Sequence, residues 1–130
     1  MLIAVLDHDR QFTKRLNKLL KSLMTDIDYV VFYSPSDCLD FAKKHNLSLI
    51  FINQSIGGSF ADLQILHYKL RKICPHVDIF IVYDENEQDN TVALWTIKSR
   101  CSDYISKSVQ KERLHNALQN TWFNPILKSS

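Results

Sequence analysis

Glycine is scarce in this sequence: only two occur in 130 residues, and they stand side by side as Gly57 and Gly58. Average usage would give roughly nine. So few glycines argue against a glycine-rich phosphate loop, a dinucleotide-binding fingerprint or a barrel with many tight turns. Long hydrophobic runs are also missing, because no apolar stretch approaches the roughly 18 to 20 residues that span a membrane. We therefore expect a protein that does not associate with membranes.

The cysteines, the N-terminus and the charge together indicate a cytoplasmic protein. Cys38, Cys74 and Cys101 are odd in number and far apart, which fits neither a disulfide framework nor a zinc site. The first residues, MLIAVLDHD, lack the basic segment that begins a signal peptide. The net charge is only +2 and the basic residues are scattered along the sequence. We expect reduced thiols, no bound metal and no direct contact with nucleic acid.

Five short apolar runs are predicted to form β-strands, at residues 2–6, 29–33, 49–52, 79–83 and 104–105. The first four are unbroken and rich in Val, Ile, Phe and Tyr, which is typical of strands buried on both faces. The segments between the runs have the apolar spacing of helices. After Asp9, one helical stripe consists of Phe12, Leu16, Leu19, Leu20 and Leu23.

Capping signals locate the later helices. Ser36 precedes the second, and Ser59 begins the third with a capping-box spacing to Asp62. The fourth is predicted over about residues 88–99, and the last begins near Ser108. Five alternations of strand and helix predict an α/β protein with the flavodoxin-like (βα)5 three-layer fold, whose five-stranded parallel sheet has the order 2-1-3-4-5. We assign residues 1–121 to this domain and 122–130 to an apolar tail or the start of a linker.

Polar residues follow the predicted strands at their carboxyl ends, where this architecture places its sites. They are Asp7, His8 and Asp9 after the first strand, Asn53 after the third, Tyr83 and Asp84 at the fourth, and Lys107 after the fifth. With the stretches LIFINQSIGG and SDYISKS, the sequence up to about residue 120 resembles the receiver domain of response regulators. The run VYDENEQDNTVALWTIKSRCSDYISKS is most similar to receivers that precede LytTR-type DNA-binding domains.

The resemblance implies a phosphorylation site. In that family an acidic pair after the first strand holds Mg²⁺, and an aspartate ending the third strand accepts the phosphoryl group. A Thr or Ser and a Lys at the ends of the last two strands bind the phosphoryl oxygens. Here Asn53 stands at the acceptor position, His8 at the second acidic position, and Tyr83 at the hydroxyl position, where its ring is expected to fill the space for phosphate.

Asp7 and Lys107 match the family pattern as they stand, and Asp9 matches a third, less stringent acidic position. A carboxamide at residue 53 is a poor nucleophile, and an imidazole at residue 8 suits Mg²⁺ poorly. We therefore predict a pseudo-receiver with no cofactor, in which Lys107 pairs with Asp7 and Asn53 hydrogen-bonds beside them. No nucleophile and base converge at the strand ends, so we predict that the protein is not an enzyme.

The predicted function is a phosphorylation-independent interaction or dimerisation module in signal transduction or transcription regulation. The resemblance points to a face formed by the fourth helix, fifth strand and fifth helix, where a protein partner or a second copy would bind. We place Ala93, Thr96 and Ile97 on the inner side of the fourth helix; the alternative is a rotated helix with Trp95 in the core. The predicted interaction face then contains Val92, Leu94, Trp95 and Tyr104.

Two other functions remain open on the sequence. One is a phosphorelay receiver that uses a displaced carboxylate, Asp9 or Asp84, together with Mg²⁺. The other is a sensor of a small ligand in the strand-end pocket, or of pH through His8. A DNA-binding output domain outside these 130 residues is compatible with the interaction module and with both of these alternatives.

Overall fold

The computed structural model describes residues 1–121 and 127–128, in which five strands alternate with five helices. In the apolar tail predicted at residues 122–130, the large side chains Trp122, Phe123 and Ile126 lie outside the described residues. All strand pairs are parallel and the order is β2-β1-β3-β4-β5, so the predicted flavodoxin-like fold is confirmed. The elements are β1 (Leu2–Leu6), α1 (Arg10–Leu23), β2 (Asp28–Phe32), α2 (Pro35–Lys44), β3 (Leu49–Asn53), α3 (Phe60–Ile73), β4 (Asp78–Tyr83), α4 (Asn90–Lys98), β5 (Asp103–Ser106) and α5 (Lys111–Gln119).

The helices begin where short polar side chains can accept the first free N–H groups. Asp9 caps α1, and Ser59 caps α3 as predicted. The cap of α2 is Ser34 rather than the predicted Ser36, because Pro35 occupies the first helical position, where its fixed φ angle suits a helix and its missing N–H costs nothing. The last helix starts at Lys111, three residues later than predicted.

The sheet separates two hydrophobic cores. Helices α1 and α5 cover one face, and α2, α3 and α4 cover the other. Because side chains alternate along a strand, Val5 packs in the first core and Leu6 in the second. Phe51 and Phe80, both fully buried, meet edge to face with ring centroids 4.8 Å apart. All three cysteines are free, in agreement with the prediction.

Helix α4 is rotated relative to the predicted orientation. Val92, predicted on the outer side, is 5% exposed, whereas Ile97, predicted on the inner side, is 72% exposed. Trp95 packs edge-on against Phe60 of α3, with ring centroids 5.5 Å apart, and this contact turns Val92 toward the sheet. Thr96 is buried as predicted, and its hydroxyl is satisfied by donating to the Val92 carbonyl at 2.8 Å.

Both glycines lie in the loop after β3, with φ angles of 82° and 92°. At Gly57 a Cβ atom would stand 2.8 Å from the Cβ of Asp62, so a side chain would collide with the first turn of α3. The rare glycines are therefore placed where the backbone needs them. In the described part of the tail, Leu127 packs on the core of α1 and α5, and the Lys128 N–H donates to the Leu23 carbonyl at 2.8 Å. Among the described residues, the helices are too short or too polar to cross a bilayer.

Candidate functional site

The polar side chains predicted at the strand ends converge on one face of the sheet. Asp7, Asn53 and Lys107 each stand two residues after a side chain of the core on the α1 and α5 face. Since side chains alternate along a strand, all three project to that same face, and the parallel strands bring their carboxyl ends to one edge. The core side chains that precede them are Val5, Phe51 and Ile105.

Lys107 is the centre of this cluster. Its Nζ lies 3.2 Å from Asp9 Oδ2, 3.6 Å from Asp7 Oδ1 and 3.7 Å from Asp84 Oδ2. The Lys107 side chain is 12% exposed and that of Asp7 is 2% exposed, so solvent screens this pair less than it screens a surface ion pair. The ion pair predicted between Lys107 and Asp7 is present, and two further carboxylates join it.

Asn53 provides one of the hydrogen bonds to the Asp7 carboxylate. The Asn53 Nδ2 donates to Asp7 Oδ2 at 3.2 Å, while the Ser55 backbone N–H donates to Asn53 Oδ1 at 2.8 Å. The second bond fixes the carboxamide with its NH₂ group toward Asp7. The backbone N–H of Asp9 donates to the other oxygen of Asp7 at 2.9 Å. Both oxygens of the buried carboxylate are therefore occupied by donors of the chain itself.

The cluster perturbs the pKa of two of its members. Burial disfavours the charged form of Lys107, but the neighbouring Asp7, Asp9 and Asp84 outweigh it, and the pKa of the ammonium is raised above its ordinary value. The N–H of Phe12 is the largest influence on Asp9, and with Lys107 it holds the pKa of this carboxyl below its ordinary value. Both groups are charged at neutral pH, so the cluster is a network of ion pairs.

Arg15 of α1 supports the turn that carries Lys107. Its guanidinium donates to the Lys107 carbonyl at 2.8 Å and to the Val109 carbonyl. The sequence offers no signal for this contact, because Arg15 lies among the basic residues of the polar side of α1, 92 positions before Lys107. The two bonds fix the backbone on both sides of Ser108.

The connection between β4 and α4 is tied to its surroundings on two sides. The Gln54 amide donates to the Glu87 carbonyl at 2.6 Å, and the Tyr104 hydroxyl donates to Gln54 Oε1 at 2.6 Å while accepting from the Asp89 N–H at 3.1 Å. The Ser108 hydroxyl donates to the Glu85 carboxylate. Tyr104, predicted as part of an exposed face, is thus half-buried with its hydroxyl engaged in this network.

Tyr83 and His8 lie away from the cluster. The Tyr83 ring stacks on Tyr104, with centroids 4.4 Å apart, on the sheet face that α4 covers. The expectation that it fills the space for phosphate is therefore wrong, since the ring projects to the opposite face from Asp7 and Lys107. His8 is exposed and faces the ring of Tyr33 at 6.2 Å.

A cavity of about 460 Å³ opens beside Lys107. Its lining carries both signs of charge, which suits neither an apolar ligand nor a simple anion. Within residues 1–121 and 127–128, no group of three or more His, Cys, Asp or Glu side chains has the geometry of a metal site. The lining residues are Asp9, Gln11, Phe12, Arg15, Asp84, Glu85, Asn86, Lys107, Ser108 and Gln110.

The Mg²⁺ ion that the receiver resemblance implies does not fit these residues. Mg²⁺ needs open carboxylate oxygens and several waters in octahedral geometry. Here the Lys107 ammonium lies among the three carboxylates, and the amide of Asn53 directs a donor at Asp7. A positive group of the chain thus lies where a metal would have to bind, and it offsets one of the three negative charges.

Comparison with known proteins identifies the fold. A receiver domain from Clostridium thermocellum superposes with a TM-score of 0.73 at 19% identity, over 92% of this chain and 91% of that one. The receiver domain of a modulated diguanylate cyclase from Desulfovibrio desulfuricans gives 0.74 at 16% identity, over 92% and 91% of the two chains. The pilus assembly protein CpaE from Caulobacter crescentus gives 0.69 at 14% identity, over 96% and 94%.

The chain therefore has the fold of signal receiver domains. No family model matches it, and no curated protein matches it in sequence. Because proteins with different names share the fold, the function has to be argued from the chemistry of the strand-end cluster and from the exposed surfaces.

Proposed function

We propose that this chain is a receiver-like module of signal transduction that acts by contact with a protein, independently of phosphorylation. The observation that carries the proposal is the position of the Lys107 ammonium, 3.2 to 3.7 Å from Asp9, Asp7 and Asp84, with Asn53 bonded to Asp7. Lys107 offsets one of the three negative charges, and together with the Asn53 amide it contacts carboxylate oxygens that a metal would need as ligands.

The chemistry of Asn53 supports the same conclusion. Formation of an acyl phosphate needs a carboxylate oxygen as nucleophile, whereas the Asn53 oxygen belongs to a neutral amide and already accepts from the Ser55 N–H. The nearby carboxylates of Asp9 and Asp84 are both paired with Lys107. Phosphotransfer to either one would break an ion pair.

The exposed side of α4 is the proposed contact surface. Leu94 and Ile97 are 58% and 72% exposed and lie three residues apart, on neighbouring turns of one helix face. They replace the predicted Val92 and Trp95, which pack inward. The bonds from Gln54 and Tyr104 to the connection before α4 favour one orientation of this helix. Two large apolar side chains on a fixed helix are suited to anchor a partner.

Phosphotransfer tests the first half of the proposal. The full chain is incubated with acetyl phosphate and Mg²⁺, and its intact mass is measured beside a competent receiver domain as the positive control. We expect no phosphoryl adduct on this chain while the control is modified. An adduct that maps to Asp9 or Asp84 would instead establish the phosphorelay alternative.

Sedimentation at physiological ionic strength tests the second half, with a second copy as the partner. We expect a reversible dimer that Leu94→Ala combined with Ile97→Ala converts to monomer. The matched control is Ile65→Ala combined with Tyr68→Ala, which removes two equally exposed side chains from α3 and should leave the dimer intact. Equal loss in both variants would contradict a specific α4 contact.

A further inference from the structure

Charge is strongly polarised along the strand direction. At the carboxyl end of the sheet, the loops and the first helical turns hold nine carboxylates and four cationic side chains. At the amino end, the last helical turns, the loops after them and the first strand residues hold eight cationic side chains and four carboxylates. The residues are scattered in sequence, but the fold collects each sign at one pole.

Helix dipoles explain the origin of this polarity but do not cancel it. Every helix begins at the carboxyl end of the sheet, where acidic residues are favourable, and ends at the amino end, where basic residues are favourable. Each helix end contributes about half an elementary charge of the opposite sign, so five helices offset about 2.5 charges at each pole. The excess of carboxylates at one pole and of cations at the other is larger than that.

The positive pole contains a groove between α2 and α3. Two adjoining cavities of about 500 and 420 Å³ share Lys43 and Ile73 in their linings. Asp40 is the one carboxylate among the described residues that line them. Arg71 lies nearby, but its guanidinium is bonded to the Val77 and Arg100 carbonyls. The basic groove, as we name it, is rimmed by the exposed side chains of Lys43, Lys44, His45, Lys69, Lys72 and His76.

The negative pole presents an exposed acidic segment. The acidic loop, which we define as residues 84–89 between β4 and α4, holds Asp84, Glu85, Glu87 and Asp89, and all four are exposed. The sequence from Asp84 to Ile97 contains no Lys or Arg. Bonds to Gln54, Ser108 and Tyr104 hold the loop in place, so it loses little freedom when it enters a contact.

We propose that the basic groove receives the acidic loop of a second copy of this chain, which gives a head-to-tail contact. The groove is concave and positive, whereas the loop is exposed and negative, and they lie at opposite poles of the molecule. A contact between two different surfaces leaves one groove and one loop free on each pair, so further copies can add. The product is an open chain of copies, or a ring where the rotation between copies closes, and not a symmetric dimer. The contact is separate from the apolar pair Leu94 and Ile97.

Salt dependence provides the first test. In sedimentation equilibrium at about 10 mM salt, where the Debye length is ~30 Å, the average mass of the wild-type chain should rise with protein concentration beyond that of a dimer. At about 1 M salt, where the Debye length is ~3 Å, these larger assemblies should be lost. A wild-type chain that stays monomeric or dimeric at low salt overturns the proposal, as does assembly that salt does not weaken.

Charge reversal identifies the surfaces. Lys43→Glu with Lys72→Glu in the groove, and Glu85→Lys with Glu87→Lys in the loop, should each abolish the low-salt assembly. An equimolar mixture of the two variants should restore it, because each reversed surface then meets its opposite on the other chain. Circular dichroism checks that both variants are folded. Failure of the mixture to assemble, when both are folded, overturns the proposal.

Two further variants distinguish the groove contact from general charge repulsion and from the α4 dimer. Lys14→Glu with Lys18→Glu changes the net charge as much as the groove variant does, but on the exposed side of α1, and it should leave the low-salt assembly intact. Loss of assembly in this variant would indicate non-specific repulsion and overturn the proposal. Leu94→Ala with Ile97→Ala should also retain the salt-sensitive assembly, so its result is independent of the proposed α4 dimer. If the chain does not assemble and tripolyphosphate shifts the NMR signals of the groove, the groove is a small-anion site instead.

Discussion

The carboxamide of Asn53 donates a hydrogen bond at 3.2 Å to Oδ2 of Asp7, a buried carboxylate that directly follows the interior strand β1. The bond joins the carboxyl ends of β3 and β1, and the Lys107 ammonium lies 3.6 Å from the other oxygen of the same carboxylate. A neutral donor and a cation of the chain thus share one buried negative charge. The behaviour of this arrangement on substitution is predictable from its charges.

Asn53→Asp should destabilise the protein at pH 7 by about 1–2 kcal/mol, because it replaces a donor by a second carboxylate next to Asp7. One carboxyl of the pair then has a pKa raised above its unfolded value, so the penalty exists above that pKa and disappears as the pH falls below it. Chemical denaturation at pH 7 and pH 4 measures the difference.

Magnesium distinguishes this substitution from a simple packing defect. Added Mg²⁺ should raise the stability of Asn53→Asp and leave the wild type unchanged, because the substitution supplies the carboxylate that a divalent cation prefers. Asn53→Ala is the control, since it removes the donor without adding charge. Equal stabilisation of all three proteins by Mg²⁺ would contradict the proposal that Lys107 takes the place of a metal among these carboxylates.

Asp9→Asn should reduce stability at neutral pH while preserving the cap of α1, because an asparagine oxygen can also accept from the Phe12 N–H. The wild-type Asp9 has a lowered pKa, so its contribution is present above the unfolded value near 3.8 and is lost as the pH falls through the folded value. The stabilities of the two proteins should therefore converge in acid. A constant difference from neutral to acidic pH would mean that the cap, and not the charge, is responsible.

Arg15→Leu should destabilise the turn that carries Lys107 by about 1–3 kcal/mol, because it leaves the Lys107 and Val109 carbonyls without their charged donor. Hydrogen exchange should accelerate at residues 107–110 more than in the rest of the sheet. Lys14→Leu, at the neighbouring exposed position, is the matched control. Uniform acceleration of hydrogen exchange throughout the protein would show that Arg15 acts on global stability and not on this turn.

Val92→Ala and Ile97→Ala test the orientation of α4. Both remove methyl groups from a β-branched side chain, but Val92 is 5% exposed and Ile97 is 72% exposed. The first should cost about 1–2 kcal/mol and the second less than about 0.5 kcal/mol in urea denaturation. The reverse order would restore the orientation expected from the sequence.

The fold was predictable because its signals are local and mutually consistent. Strands β1, β3 and β4 are apolar on both faces, and α1 has a continuous stripe of apolar residues along one side. The types and the order of these elements therefore follow from the sequence. Helix α4 offers no such stripe, since apolar residues stand at Val92, Ala93, Leu94, Trp95 and Ile97. Its orientation depends on the contact of Trp95 with Phe60, which is a tertiary interaction.

The candidate site was predictable in part. Asp7, Asn53 and Lys107 share a face because of strand alternation, which the sequence contains. The same alternation could have placed Tyr83 with Ile81 on the opposite face, away from the cluster. The hydrogen bonds from Arg15 to the turn after β5 could not be predicted, because a long side chain on a polar helix surface has many accessible partners. The charge poles could not be predicted either. Acidic and basic residues are scattered along the sequence, and only the folded chain brings the acidic loops to one end of the sheet and the basic loops to the other.

The position of β1 in the sheet has a consequence for synthesis on the ribosome. This first strand lies in the interior of the sheet: it pairs with β2 and β3, and its side chains Ile3 and Val5 share one hydrophobic core with Leu114 and Leu118 of α5. The first strand of this domain thus has its core completed only when α5 has left the exit tunnel. A chain that terminates before residue 111 would leave part of the core on the α1 and α5 face uncovered, so truncated products should be substrates for chaperones and proteases.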